Sequence, residues 1–212
     1  MKHEWRKAEK GLYLPGETPE LVRVPPMKFF AIRGSGNPNT PEFADKISAL
    51  FTLAYSVRMM PKSGFTPDGY EEYAVYPLEG VWDLAPVGRT QDGFSKDQLV
   101  YTIMIRQPDF VTASVAARAM ENASKKKGLP ALGEAEFLTW EDGLCVQMMH
   151  RGSFDDEAKS FARMEESLES QGLRRSNRTH REIYLSDFNK TRPEDLKTVL
   201  RIFVGPKEGG SL

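Results

Sequence analysis

The segment His180-Arg181-Glu182-Ile183-Tyr184-Leu185-Ser186-Asp187 carries the side chains best suited to chemistry. Strand alternation puts Glu182, Tyr184 and Ser186 on one face and Arg181, Ile183 and Leu185 on the other. A carboxylate near a phenol can do two kinds of work. Glu182 could meet a cation, or orient and deprotonate a water, while Tyr184 could donate a hydrogen bond to an oxygen that gains charge. If Ile183 and Leu185 pack against helices, Glu182 and Tyr184 look into a cleft. The same alternation also fits an ordinary strand with its polar face in solvent. A second acid and phenol occur upstream, where an expected strand over 73–78 would align Glu72, Ala74 and Tyr76. Trp82, Tyr101 and Tyr55 could add flat walls for a planar aromatic guest. Phe51, in helical step with Ile47 and Ala54, reads as core instead.

His150 shares a strand face with Met148, and both are candidates to line the cleft, His150 as a proton donor or as a hydrogen-bonded structural residue. His3, His150 and His180 have no metal-ligand spacing, so no metal is expected. Gly34-Ser35-Gly36 fits neither phosphate-binding glycine pattern and reads as a turn, and no cofactor is implied. Cys145, the single cysteine, sits in an apolar strand and reads as a buried structural thiol.

These residues need elements to hold them. Residues 27–32 read as a strand buried on both faces. Thr40 and Pro41 then open a helix whose apolar stripe runs Phe43, Ile47, Leu50, Phe51, Ala54 and which stops before Pro61. Strands over 73–78 and 99–107 follow, and residues 110–127 read as a crossover helix. Strands at 136–140 and 144–150 flank Asp142-Gly143, a hairpin signal. Ser153 opens a helix ending near Gly172, and strands over 181–187 and 197–204 close the pattern. Phe30-Ala31-Ile32-Arg33-Gly34-Ser35 lines up with Met148-Met149-His150-Arg151-Gly152-Ser153, each before a helix. The expected fold is α+β, a single domain of two strand-helix-strand-strand modules, about 18–108 and 134–205, related by a pseudo-twofold axis, with antiparallel sheet and a central ligand groove.

Composition narrows the function. Lys and Arg number 29 against 30 Asp and Glu, a formal net charge of -1 that recommends neither direct nucleic-acid binding nor an anionic membrane. No run of about 18 apolar residues occurs, and a lone cysteine fits a reducing compartment, so a cytoplasmic protein is expected.

Glu4-Trp5-Arg6-Lys7, Met59-Met60-Pro61-Lys62-Ser63-Gly64, the segment 75–82, the segment 100–110 and the segment 180–187 together resemble the GyrI-like (DNA gyrase inhibitor-like) small-molecule-binding domain family in its stand-alone form. The resemblance implies paired modules about a groove, and a groove carboxylate at the position of Glu182 that meets cationic aromatic compounds. Tyr184, Tyr76, Trp82 and Tyr101 are its expected neighbours. Two activities are implied: binding or sequestration of planar, apolar, often cationic molecules, or hydrolysis of cyclopropane-bearing, DNA-alkylating natural products with Glu182 and Tyr184 as catalytic groups. An adaptor that inhibits a protein such as gyrase ranks behind both.

Overall fold

In the computed structural model, which describes residues 2–85, 95–125 and 128–207, two helical turns, α1 (Trp5–Ala8) and α2 (Lys10–Tyr13), lead to β1 (Glu20–Val24) and β2 (Met27–Ser35). Phe29, Phe30, Ala31 and Ile32 give β2 no polar face, and all four are buried. Helix α3 (Pro41–Arg58) begins where Thr40 accepts a hydrogen bond from the Phe43 N–H at 3.4 Å. Then come β3 (Leu78–Leu84), β4 (Leu99–Gln107), α4 (Ala113–Ser124), β5 (Glu136–Trp140), β6 (Gly143–Arg151), α5 (Glu157–Ser170), β7 (Leu173–Tyr184) and β8 (Lys197–Pro206). The fold is α+β, and every strand pairing within its units is antiparallel. Among the described residues no helix is long and apolar enough to cross a membrane. Residues 126 and 127, the expected end of the crossover helix, lie outside the described residues.

The chain divides into two compact units, Met1–Trp5 with Met27–Trp140, and Arg6–Pro26 with Glu141–Leu212. The first has strand order β3-β4-β2-β5. Its register puts Leu78, Gly80 and Trp82 beside Ile105, Ile103 and Tyr101, and these beside Phe30, Ile32 and Gly34. Helix α3 covers that face with Phe43, Leu50, Leu53 and Val57, and α4 packs against α3 through Val115, Ala116 and Ala119. Each large apolar side chain fully buried here contributes about 1.5–3 kcal/mol.

The second unit has strand order β1-β6-β8-β7. Helix α5 lays Met164 and Leu168 over Val146, Met148, Leu200 and Ile202. On the other face the Asp142 carboxylate is held by Arg181 through two bonds of 2.6 and 2.7 Å, and by Arg201 at 3.5 Å. Arg201 also bonds Gln147 at 2.9 Å and the Leu12 carbonyl. Gln147 in turn donates to the Gly11 carbonyl at 2.6 Å, so these buried polar groups tie the N-terminal segment to the sheet. Cys145 is buried beside this cluster, and burial, with Asp142 adding to it, pushes its thiol up to about 12, which suits a structural residue.

The two units repeat one internal plan. Strand, helix, strand, strand is β2-α3-β3-β4 in one and β6-α5-β7-β8 in the other, and the orders β3-β4-β2 and β7-β8-β6 correspond. Three expectations need correction. Asp142-Gly143 does not close a hairpin: β5 pairs with β2, Trp140 opposite Met27, and β6 pairs with β1, Gly143 opposite Val24. Gly143 supplies the positive φ of 67° that such a turn wants, yet the Asp142 carboxylate serves the two arginines, and the strands part. The strand expected over 73–78 is absent; Pro77 has no N–H for a ladder, and pairing with β4 starts at Leu78. Glu72, Ala74 and Tyr76 therefore form no strand face. Finally, β7 starts at Leu173, eight residues before the expected strand, and passes through an irregularity between Arg175 and His180.

Candidate functional site

On β7, Glu182 stands opposite Leu200 of β8, and His180 opposite Ile202. Leu200 and Ile202 lie under α5, so Glu182 and His180 occupy the helix-covered face. This reverses the expected orientation: Ile183 and Arg181 point away from α5, where Arg181 meets Asp142. The reason is electrostatic, since Arg181 has a buried carboxylate waiting on that side. His180 Nε2 and Glu182 Oε1 are 2.9 Å apart, with side chains 22% and 11% exposed. The Phe161 ring meets the His180 ring edge-on, centroids 4.7 Å apart. Tyr184 follows with T-shaped contacts to Phe154 at 5.9 Å and Phe188 at 6.0 Å. The arrangement is a nearly buried carboxylate held by His180 on a strand face that also carries the aromatic contacts of His180 and Tyr184, and a carboxylate can accept a proton or pair with positive charge.

Helix α5 brings a second carboxyl to this face. Glu157, Ser160, Met164 and Leu168 form its inner stripe, and Glu157 is 7% exposed. Among the described residues Glu157 Oε1 has no hydrogen-bond partner. Burial, then the charge of Glu182, then that of Asp155, raise its carboxyl well above the ordinary 4.5.

His150 Nδ1 is 2.9 Å from Ser160 Oγ, and Nε2 is 3.0 Å from the Ser153 carbonyl, which can only accept. In the neutral ring Nε2 therefore carries the hydrogen and Nδ1 accepts from Ser160. Both nitrogens are thus engaged, one with Ser160 of α5 and one with the turn that precedes it. Met148 lies in the packed core beneath the helix. Both side chains, suggested by the sequence as cleft-lining, are buried.

In the first unit, Trp82 and Tyr101 come together with ring centroids 5.1 Å apart, and Phe43 of α3 meets them at 5.9 and 5.0 Å. Tyr101 lies against Gly34, where a Cβ would come within 2.5 Å of the ring. Burial, with Glu134 and Glu42 nearby, raises the Tyr101 phenol above its ordinary value. Tyr76 lies elsewhere: its hydroxyl is 3.3 Å from His3 Nε2, its ring stacks at 6.5 Å on Trp5, and the Arg106 guanidinium sits 4.6 Å from its centroid. Tyr55 is 47% exposed on α3.

Sequence reasoning passed over Glu157, Phe161 and His180 as site residues. The i, i+3, i+7 step from Glu157 through Ser160 to Met164 was the available signal, since it places a carboxyl on the buried stripe. Among the described residues no three His, Cys, Asp or Glu side chains are grouped to hold a metal ion.

Residues 17–204 match the GyrI-like small molecule binding domain. The protein belongs to this family. A GyrI-like domain binds small molecules, so a small-molecule ligand is the partner to seek. A crystal structure described as a hydrolase from Listeria innocua is 36% identical, covering 96% of this chain and all of that one, with a TM-score of 0.87. An uncharacterized conserved protein from Listeria innocua is 38% identical over 96% of this chain and all of its own, TM-score 0.88. The EcmrR C-terminal domain, 14% identical with 90% of this chain and 98% of that one covered, has a TM-score of 0.51 and shares the fold alone. No curated protein matches the chain.

Proposed function

We propose that this GyrI-like domain takes planar, apolar small molecules, cationic ones included, at the Glu182 face, and hydrolyses those that carry a strained, electrophilic ring. The observation that carries the proposal is Glu182 itself, a carboxylate 11% exposed and bonded at 2.9 Å to His180, whose ring meets Phe161, with Tyr184 two residues further along the same strand. Similarity above 30% over nearly the whole chain to a protein described as a hydrolase supports turnover over simple capture.

For a cyclopropane fused to a conjugated carbonyl, Glu182 takes a proton from a water whose oxygen bonds to the ring CH2. The strained C–C bond breaks, its electron pair passes into the conjugated system, and the carbonyl oxygen becomes a phenolate. Tyr184 donates a hydrogen bond to that oxygen, and protonation gives a phenol, for a net addition of water. Hydrolysis in oxygen-18 water tests this: under excess substrate, product should accumulate over many turnovers with solvent oxygen on the opened carbon. Stoichiometric capture without product would replace hydrolysis by sequestration, the reading that the aromatic surfaces alone support.

A further inference from the structure

Leu168 and Leu173 share one core cluster across the Gly172 turn, and Phe161 meets His180, so α5 and β7 run in opposite directions. From Phe161, one turn back along α5 reaches Glu157, about 6 Å away at the helical rise. From His180, two residues forward along β7 reach Glu182, about 6.6 Å away at the strand rise. The two steps point the same way and nearly match in length, which sets Glu157 over Glu182. Among the described residues no arginine or lysine is ion-paired with either; Arg175, on this face opposite Val204, pairs instead with Glu165 of α5 at 2.8 Å. Arg181 and Arg201 lie on the other face with Asp142, and Lys159 is exposed and paired with Asp156 at 2.6 Å. The other titratable neighbours are His180, bonded to Glu182, Asp155 on the turn before α5, and His150, bonded to Ser160 and Ser153.

We propose that Glu157 and Glu182 form a carboxyl–carboxylate pair in which Glu157 stores a proton, and that this proton leaves when positive charge occupies the site. The inference rests on the Glu182 face being the ligand site. Two carboxylates buried together repel, so one proton is retained in the free protein; a cation supplies the missing counter-charge and makes that proton dispensable. The burial of Glu157, its unpartnered Oε1 and the raised titration of its carboxyl agree.

Two measurements test it. Infrared spectra at neutral pH should show a protonated-carboxyl C=O stretch in the wild type that Glu157→Gln lacks; a wild type without that band overturns the proposal. Calorimetry with N-methylacridinium, in buffers of different ionisation heat, should show a proton released on binding to the wild type, while neutral acridine releases none. The binding heat of Glu157→Gln should no longer depend on the buffer. Should that variant fail to fold, the wild type alone decides, because its affinity for the dye must rise with pH as Glu157 deprotonates. Dye binding with no proton release and a flat affinity would overturn the proton store and leave the ligand site standing. Failure of the dye to bind would overturn both.

Discussion

His180 and Glu182, two residues apart on β7, share a 2.9 Å hydrogen bond on the face that α5 covers. The imidazole engages Oε1 and fixes the carboxylate's direction, and Phe161 fixes the imidazole. His180→Phe keeps a ring against Phe161 and deletes the bond to Glu182. Single-turnover hydrolysis should slow by about 10- to 100-fold, the scale for a loosened reacting group. An unchanged rate would remove His180 from the positioning of Glu182.

Gly34 is required by the Tyr101 ring, which a Cβ would meet at 2.5 Å. Gly34→Ala should therefore destabilise the protein by about 1–3 kcal/mol, the range for overpacking, and alter the near-ultraviolet circular dichroism of the Phe43, Trp82 and Tyr101 cluster. Equilibrium denaturation reads the first effect and the spectrum of the folded variant the second.

Asp142 is 2% exposed and answers two arginines whose side chains are 1% and 3% exposed. Asp142→Ala leaves both positive charges buried without it. The expected loss is about 3–5 kcal/mol, because breaking a buried ion pair strands its partner. Chemical denaturation checks this, and a change below about 1 kcal/mol would mean that water reaches the arginines.

Glu157 ties stability to pH. In the unfolded chain its carboxyl ionises near the ordinary 4.5; in the folded chain it ionises well above that. Between those values the folded protein holds a proton that the unfolded chain has lost, so this group's contribution lowers stability as pH rises through the window and levels off above the folded value. Glu157→Gln removes the slope. The Tm of the variant relative to wild type should increase as pH rises above the ordinary 4.5, and a constant difference would show that Glu157 titrates alike in the folded and unfolded chain.

Much of this architecture can be read from residue types. The Thr40-Pro41 cap, the apolar β2 and the repeated strand-helix-strand-strand order each follow from local chemistry. What escaped reading was set at a distance. Asp142-Gly143 carries a hairpin's chemistry, but Arg181 and Arg201, far along the chain, claim the Asp142 side chain. The first half of β7, with Arg174, Arg175, Ser176 and Asn177, lacks apolar alternation, although it pairs with residues 204–206. Glu182 and Tyr184 were visible as an alternating pair, yet the covering face depended on which side held a counter-charge for Arg181. Glu157 was hidden because an acid in a helix's first turn ordinarily serves the dipole in solvent.

Catalysis by Glu182 is tested most directly by single-turnover kinetics with a cyclopropane-bearing alkylator, following loss of the strained ring with wild type and with Glu182→Gln. The amide keeps the shape and removes the base. Ring opening by wild type should far outpace the buffer reaction, and Glu182→Gln should slow it by about 100-fold or more while the alkylator still binds. Wild-type decay no faster than buffer, or equal rates in the two proteins, would contradict it.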